Sequence, residues 1–144
     1  MATALSHVGV CVSDIAASTR FYCEALGFER AESFEVGDEF AGLMELAPVR
    51  LASQFLRRGD QAVELLHFAA PGVDGDRSRR PLNHLGLTHL CFHVDDVDSV
   101  AEAIEALGGA VLTGTRTTLA GGALDFVYCT DPDGTRIELM KGAR

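Results

Sequence analysis

The feature that most limits what this chain can become is an internal repeat. Leu5-Ser6-His7-Val8-Gly9-Val10 can be written above Leu87-Thr88-His89-Leu90-Cys91-Phe92 with the hydroxyl, imidazole and apolar side chains in step. Seven residues after each histidine stands an aspartate followed by a β-branched residue, Asp14-Ile15 and Asp96-Val97. A helical stretch follows each, ending in Leu26-Gly27 or Leu107-Gly108. Self-similarity at a fixed period marks a duplicated supersecondary unit. In 144 residues it leaves room for one compact domain or two very small modules.

The local signals define each module. Asp14 and Asp96 are N-cap residue types, Val97, Val100, Ile104 and Leu107 recur at helical spacing, and Gly27 and Gly108 suit the residue just past a helix. After each helix come short alternating or apolar runs, of which 52–56, 62–68, 110–112, 124–129 and 136–140 are the clearest strands. Each half therefore reads β-α-β-β-β, an α+β organisation. Residues 69–83 hold two prolines, two glycines, two aspartates and three arginines without apolar periodicity, the composition of a surface connection. The expected division is an N-terminal module over 1–70, a linker over 71–84 and a C-terminal module over 85–144. Asp131-Pro132-Asp133-Gly134 is a tight turn by composition that feeds the final strand.

Composition excludes several functions. A formal charge of -9 spread along the chain opposes binding to nucleic acid, and Arg77, Arg79 and Arg80 form too small a basic cluster to change that. Apolar stretches are short and interrupted, and the start of the sequence lacks the basic and apolar regions of a secretory signal, so a cytoplasmic location without membrane contact is expected. Cys11, Cys23, Cys91 and Cys129 are far apart in apolar settings, as reduced buried thiols are, and no disulfide is expected.

Strand geometry selects four residues as metal ligands. Side chains alternate along a strand, so His7 shares a face with Gly9 and Cys11, while Val8, Val10 and Val12 turn toward a helix-packed core. The same alternation groups His89 with Cys91 and His93, opposite Leu90, Phe92 and Val94. The last strand of each half sets a carboxylate between apolar neighbours, Val63-Glu64-Leu65 and Ile137-Glu138-Leu139. A buried anion there costs several kcal/mol unless paired or metal-bound. A lone strand histidine is more often a surface or satisfied core residue, and His67, His84 and His93 are read that way, although His93 could face the cavity. Two imidazoles and two carboxylates at equivalent places in a repeat are a different matter: His7, Glu64, His89 and Glu138 form a mixed N/O donor set for one divalent metal ion.

At this point the chain resembles the vicinal oxygen chelate superfamily, which includes lactoylglutathione lyases, methylmalonyl-CoA epimerases, extradiol dioxygenases and antibiotic-resistance proteins. The resemblance rests on His7-Val8-Gly9 with Asp14 and Phe21-Tyr22, on Leu26-Gly27-Phe28, on His89 with Val94-Asp95-Asp96, and on Asp131-Pro132-Asp133-Gly134 before Ile137-Glu138-Leu139. It implies two tandem βαβββ modules forming a curved, half-open β-barrel, the glyoxalase/dioxygenase fold. It also implies a metal with open positions that chelates a substrate through vicinal oxygens. Fold alone does not choose the chemistry.

Departures from each subfamily narrow the choice. Lactoylglutathione lyases typically carry an arginine four residues after the first histidine, where this chain has Cys11. Methylmalonyl-CoA epimerases usually place a catalytic glutamate where this chain has Leu43, with Glu45 two residues along the same face as a substitute. Extradiol dioxygenases use two histidines and one glutamate, to which Glu64 is an addition. A pocket face of Gly9, Cys11, Leu66, Cys91, His93 and Met140, with Tyr128 as a polar contact, is mostly apolar and better suited to an aromatic or polyketide-like substrate than to a phosphate-bearing thioester. The leading expectation is thus an Fe(II)-dependent oxygenase, with Ni, Co, Mn or Zn as other possible metals. The second is a lyase or epimerase in which Glu64 or Glu138 moves a proton, and the third a non-catalytic drug-binding protein. Arg57, Arg58 and Asp60 read as a solvated turn, and Phe34, Phe40 and Phe55 as either core or pocket. A homodimer is expected, because exposed sheet edges need covering.

Overall fold

A computed structural model describes residues 3–142. The chain divides into two compact units, Met1–Gly75 and Asp76–Arg144. In the first, the order is β1 (Val8–Cys11), α1 (Ile15–Glu24), β2 (Glu29–Val36), a short helix α2 (Ala41–Met44), β3 (Arg50–Arg58) and β4 (Gln61–Ala70). The strands lie in the order β1-β4-β3-β2, with β1 parallel to β4 and the rest antiparallel. The second unit contains β5 (Leu90–His93), α3 (Val97–Ala106), β6 (Ala110–Val111), β7 (Thr117–Leu119), β8 (Leu124–Thr130) and β9 (Arg136–Lys141). Its order is β5-β9-β8-β6, with β5 parallel to β9 and β7 also on β8. Each unit is thus an open mixed sheet with a helix on one face, an α+β architecture.

The helices begin where the sequence places their caps. Asp14 accepts hydrogen bonds from the Ala16 and Ala17 amides, and Asp96 from that of Ser99, which satisfies otherwise unpaired first-turn N–H groups. α3 ends in a Schellman motif: the Gly109 amide reaches the Ile104 carbonyl, the Gly108 amide reaches that of Glu105, and Gly108 takes the left-handed φ of +90° that glycine tolerates. α1 also closes on a left-handed glycine, Gly27 at φ +73°, whose amide reaches the Cys23 carbonyl at 3.1 Å. Arg58 donates to the Leu26 carbonyl at 2.8 Å, so this arginine closes a helix end rather than only decorating a solvated turn. Arg57 does stay on the surface, paired with Glu32, beside the two-residue turn Gly59-Asp60 that joins β3 to β4.

Alternation sorts each sheet into two faces. Val10, Val12, Leu56, Val63 and Leu65 are buried with Phe21 and Tyr22 of α1. Phe92, Val127, Ile137 and Leu139 are buried in the second unit, as are Val97, Ala101 and Ile104 of α3. Burying each large side chain is worth about 1.5–3 kcal/mol, which fixes register, because a one-residue slip moves the whole set to the wrong face. Arg116 adds a polar tie, bonding Asp98 of α3 and Asp125 of β8.

Some sequence expectations change here. The strand expected over 110–112 keeps two residues, because Leu112 leaves the extended region (φ -90°, ψ 70°) to enter a 3-10 turn, and β7 is an extra strand. Leu43 lies in α2 and Glu45 takes a left-handed φ of 55°, so the two do not share a strand face. Cys11 and Cys91 are exposed and only Cys129 is fully buried: on strands one face of which is open, an apolar sequence setting does not entail burial. Among the described residues no helix is long and apolar enough to cross a membrane.

Candidate metal and substrate site

The parallel pairing of first and last strand in each unit brings a histidine beside a carboxylate. β1 runs along β4 with Gly9 opposite Glu64, and His7 immediately precedes β1. His7 Nε2 lies 3.1 Å from Glu64 Oε2. The second unit repeats the arrangement: β5 runs along β9 with Cys91 opposite Glu138, and His89 Nε2 is 2.9 Å from Glu138 Oε2. All four side chains are on the sheet face turned away from the helix. The two carboxylates are 17% and 20% exposed, so they are half-buried rather than the fully buried anions expected from their apolar neighbours in sequence.

Each pair is held by a similar set of neighbours. A hydroxyl sits against the outer nitrogen of each imidazole, Ser6 Oγ at 3.1 Å from His7 Nδ1 and Thr88 Oγ1 at 2.9 Å from His89 Nδ1. An aromatic ring on the strand opposite the carboxylate presents an edge to each imidazole: Phe55, paired with Glu64, at 5.1 Å from His7, and Tyr128, paired with Glu138, at 5.4 Å from His89. Phe55 is therefore a site residue, whereas Phe34 and Phe40 are largely exposed.

The units differ in what holds the carboxylate. Ser53, itself buried, donates to Glu64 Oε1 at 2.6 Å, so both oxygens of Glu64 are engaged. The Cys91 thiol bonds Glu138 instead; burial and that carboxylate push the thiol up to about 11. Burial, and next the Glu138 charge, also raise the Tyr128 phenol above its ordinary value. Thiol and phenol both stay protonated at neutral pH.

The spacing within each pair is compatible with a shared divalent cation. Two donors about 2.1 Å from a divalent cation and at right angles to each other are about 3.0 Å apart, against about 3.4 Å at a tetrahedral angle. The observed 3.1 and 2.9 Å fit adjacent corners of an octahedron and also an N–H···O hydrogen bond without metal. With the hydroxyls beside Nδ1, each imidazole can present Nε2 as donor atom to a cation, a frequent outer arrangement of metal-binding histidines. No group of three or more candidate ligands gathers among the described residues; each unit holds one imidazole–carboxylate pair.

The remaining expected pocket residues sort by alternation. Gly9, Cys11 and Leu66 share the face of Glu64, and Cys91, His93 and Met140 that of Glu138. A Cβ at Gly9 would meet Leu66 at 3.4 Å, so glycine keeps that face open. Tyr128 lies in β8 opposite Glu138. His67 is on the helix side with Nδ1 at 3.1 Å from the Val12 carbonyl. Ser53 is not legible in the sequence as a neighbour of the pair, and Phe55 is left open there between core and pocket, because both places depend on the β3–β4 register. Arg136 was legible and overlooked: it stands two residues before Glu138 and so on the same face, where it makes the lining less apolar than expected. Its guanidinium lies 5.4 Å over the Tyr128 ring.

Comparison with known proteins gives a consistent outcome. Residues 4–139 match the family model of the Glyoxalase/Bleomycin resistance protein/Dioxygenase superfamily. A 2-epi-5-epi-valiolone epimerase of an Actinomyces species is 32% identical, over 96% of this chain and 79% of that protein. The lactoylglutathione lyase of Haemophilus influenzae is 27% identical, over 94% and 90%. A glyoxalase family protein of Bacillus cereus has the same fold, with a TM-score of 0.84 at 19% identity, covering 98% of this chain and 95% of that one.

Proposed function

This chain belongs to the Glyoxalase/Bleomycin resistance protein/Dioxygenase superfamily, and from that premise we propose that it is a divalent-metal-dependent epimerase or lyase that moves a proton next to a substrate carbonyl. The observation that carries the reading is the repeated imidazole–carboxylate pair, with Nε2 and Oε2 at octahedral-edge spacing in both units. His7 and Glu64 with His89 and Glu138 would hold the cation. Bound there, a divalent metal supplies Lewis acidity toward two vicinal oxygens of the substrate and lowers the cost of negative charge on them.

The chain's own residues divide the remaining work unequally. Glu64 is held through both oxygens, by His7 and by the Ser53 hydroxyl, which makes it the fixed ligand. Glu138 has a weaker thiol partner in Cys91 and is the more mobile carboxylate, suited to take a proton from carbon and return it. Phe55 and Tyr128 present ring edges to the imidazoles and shield one side of each pair. The relatives named for epimerase and lyase activities favour proton transfer over the oxygenase chemistry expected from the apolar lining.

An Fe(II) oxygenase is the second reading, favoured by the aromatic edges of Phe55 and Tyr128 beside both histidines. One experiment separates the two. Metal-loaded protein is incubated in deuterated water with vicinal hydroxyketones and thiol adducts of 2-oxoaldehydes, and with catechols under an oxygen electrode. Deuterium at the carbon next to the carbonyl, lost in Glu138→Gln and accompanied by no oxygen uptake, is the expected result. Oxygen consumption with catechols and no exchange at carbon would replace the proposal with the oxygenase.

A further inference from the structure

We infer that Arg136 is an anchor for an anionic group of the substrate, a carboxylate or phosphate carried about one strand repeat away from the chelating oxygens. The inference rests on the proposed function for its place beside the reacting atoms, and on the structure for its chemistry.

Arg136 opens β9 two residues before Glu138, so both side chains project from the same face, about 6.5–7 Å apart along the strand. The guanidinium is positioned from two sides. It stacks over Tyr128, the ring that also edges His89, and its Nη2 donates to the Arg80 carbonyl at 3.0 Å. What it lacks is an anion. No carboxylate among the described residues forms an ion pair with it, in a chain whose formal charge is -9. Asp133, three residues before it across the turn, pairs with Arg77 instead.

Its hydrogen bonding is also incomplete. Among the described residues, Arg136 Nε is the buried side-chain polar atom left without a hydrogen-bond partner. Buried polar groups are rarely orphaned without a reason, and a planar guanidinium with open donors matches carboxylate and phosphate oxygens better than any other partner. The repeat does not require an arginine there, since the corresponding residue before Glu64 is Ala62. The cation is an addition to one unit, next to the more mobile carboxylate, and so belongs to substrate selection rather than to the duplicated scaffold.

Two measurements test this, and they fail separately. In the first, inorganic phosphate is titrated into metal-free full-length protein and followed by tyrosine ring NMR. The chain has two tyrosines, and Tyr22 is fully buried, so a saturable shift reports Tyr128. Wild type is expected to show it and Arg136→Met, which keeps an unbranched chain against the ring, to lose it; equal behaviour of the two proteins overturns the inference. In the second, nickel-loaded protein is titrated calorimetrically with succinic acid monohydroxamate and with butyrohydroxamate, vicinal-oxygen chelators that differ in one distal carboxylate. Wild type is expected to bind the charged compound at least tenfold more tightly, and Arg136→Met to bind both alike with unchanged metal content. Binding of both compounds without that preference overturns the substrate role. If neither hydroxamate binds although the phosphate response depends on Arg136, the anion site stands and the metal-dependent function falls.

Discussion

Replacing Ser53 by alanine isolates a strong hydrogen bond that distinguishes the two imidazole–carboxylate pairs. The hydroxyl donates to Glu64 Oε1 at 2.6 Å from a residue that is 4% exposed. Hydrogen bonds to charged groups contribute about 1.5–3 kcal/mol net. Because Glu64 remains 17% exposed, water recovers part of that, which places the loss at the lower end. A loss of about 1.5 kcal/mol is a little over tenfold in binding, within the roughly 10–100-fold that outer-shell partners of metal ligands typically supply. Competition against a chromophoric chelator, with nickel or manganese, should therefore give a dissociation constant about tenfold higher for Ser53→Ala than for wild type. Ser53→Thr, which keeps a hydroxyl, should stay near wild type. A Ser53→Ala protein that folds and binds metal within twofold of wild type would refute the idea that Glu64 is a ligand fixed by this bond.

Further outcomes follow from the same geometry. His7→Ala and His89→Ala should each reduce metal affinity by more than a hundredfold while circular dichroism is unchanged, since neither side chain is in the core; stoichiometric metal in the double variant would contradict the ligand assignment. Asp14→Ala removes the acceptor for two amides at the start of α1 and should lower stability by about 1 kcal/mol, read as a drop of a few degrees in Tm by calorimetry. Asp125 is held below its ordinary value of 3.8, first by its bond to Arg116. Its contribution is complete above 3.8 and is lost as pH falls through the lowered folded-state value. Asp125→Asn should accordingly remove part of the steepness of acid unfolding below pH 4 without changing its course above pH 5.

The sequence made the repeat, the capped helices and the two imidazole–carboxylate pairs legible for a common reason. Each depends on spacing within one strand or helix, and alternation alone puts His7 opposite the core-facing Val8, or Arg136 on the face of Glu138. What it concealed depends on pairing between strands. Ser53 and Phe55 become neighbours of Glu64 only through the β3–β4 register, which no local pattern states. Glu45 failed as a strand residue because 41–44 form a helical turn that their composition does not announce. The exposure of Cys11 and Cys91 shows the same limit: an apolar neighbourhood in sequence does not say which side of a sheet is covered.

The parallel seams β1–β4 and β5–β9 join the opening strand of each unit to its final one. Until those chain-distant edges meet, an imidazole and its carboxylate have no fixed separation, and closing so long a loop is among the slower events in folding. The proposed chelating pairs thus form late in folding, and a nascent chain offers a cation only scattered side chains.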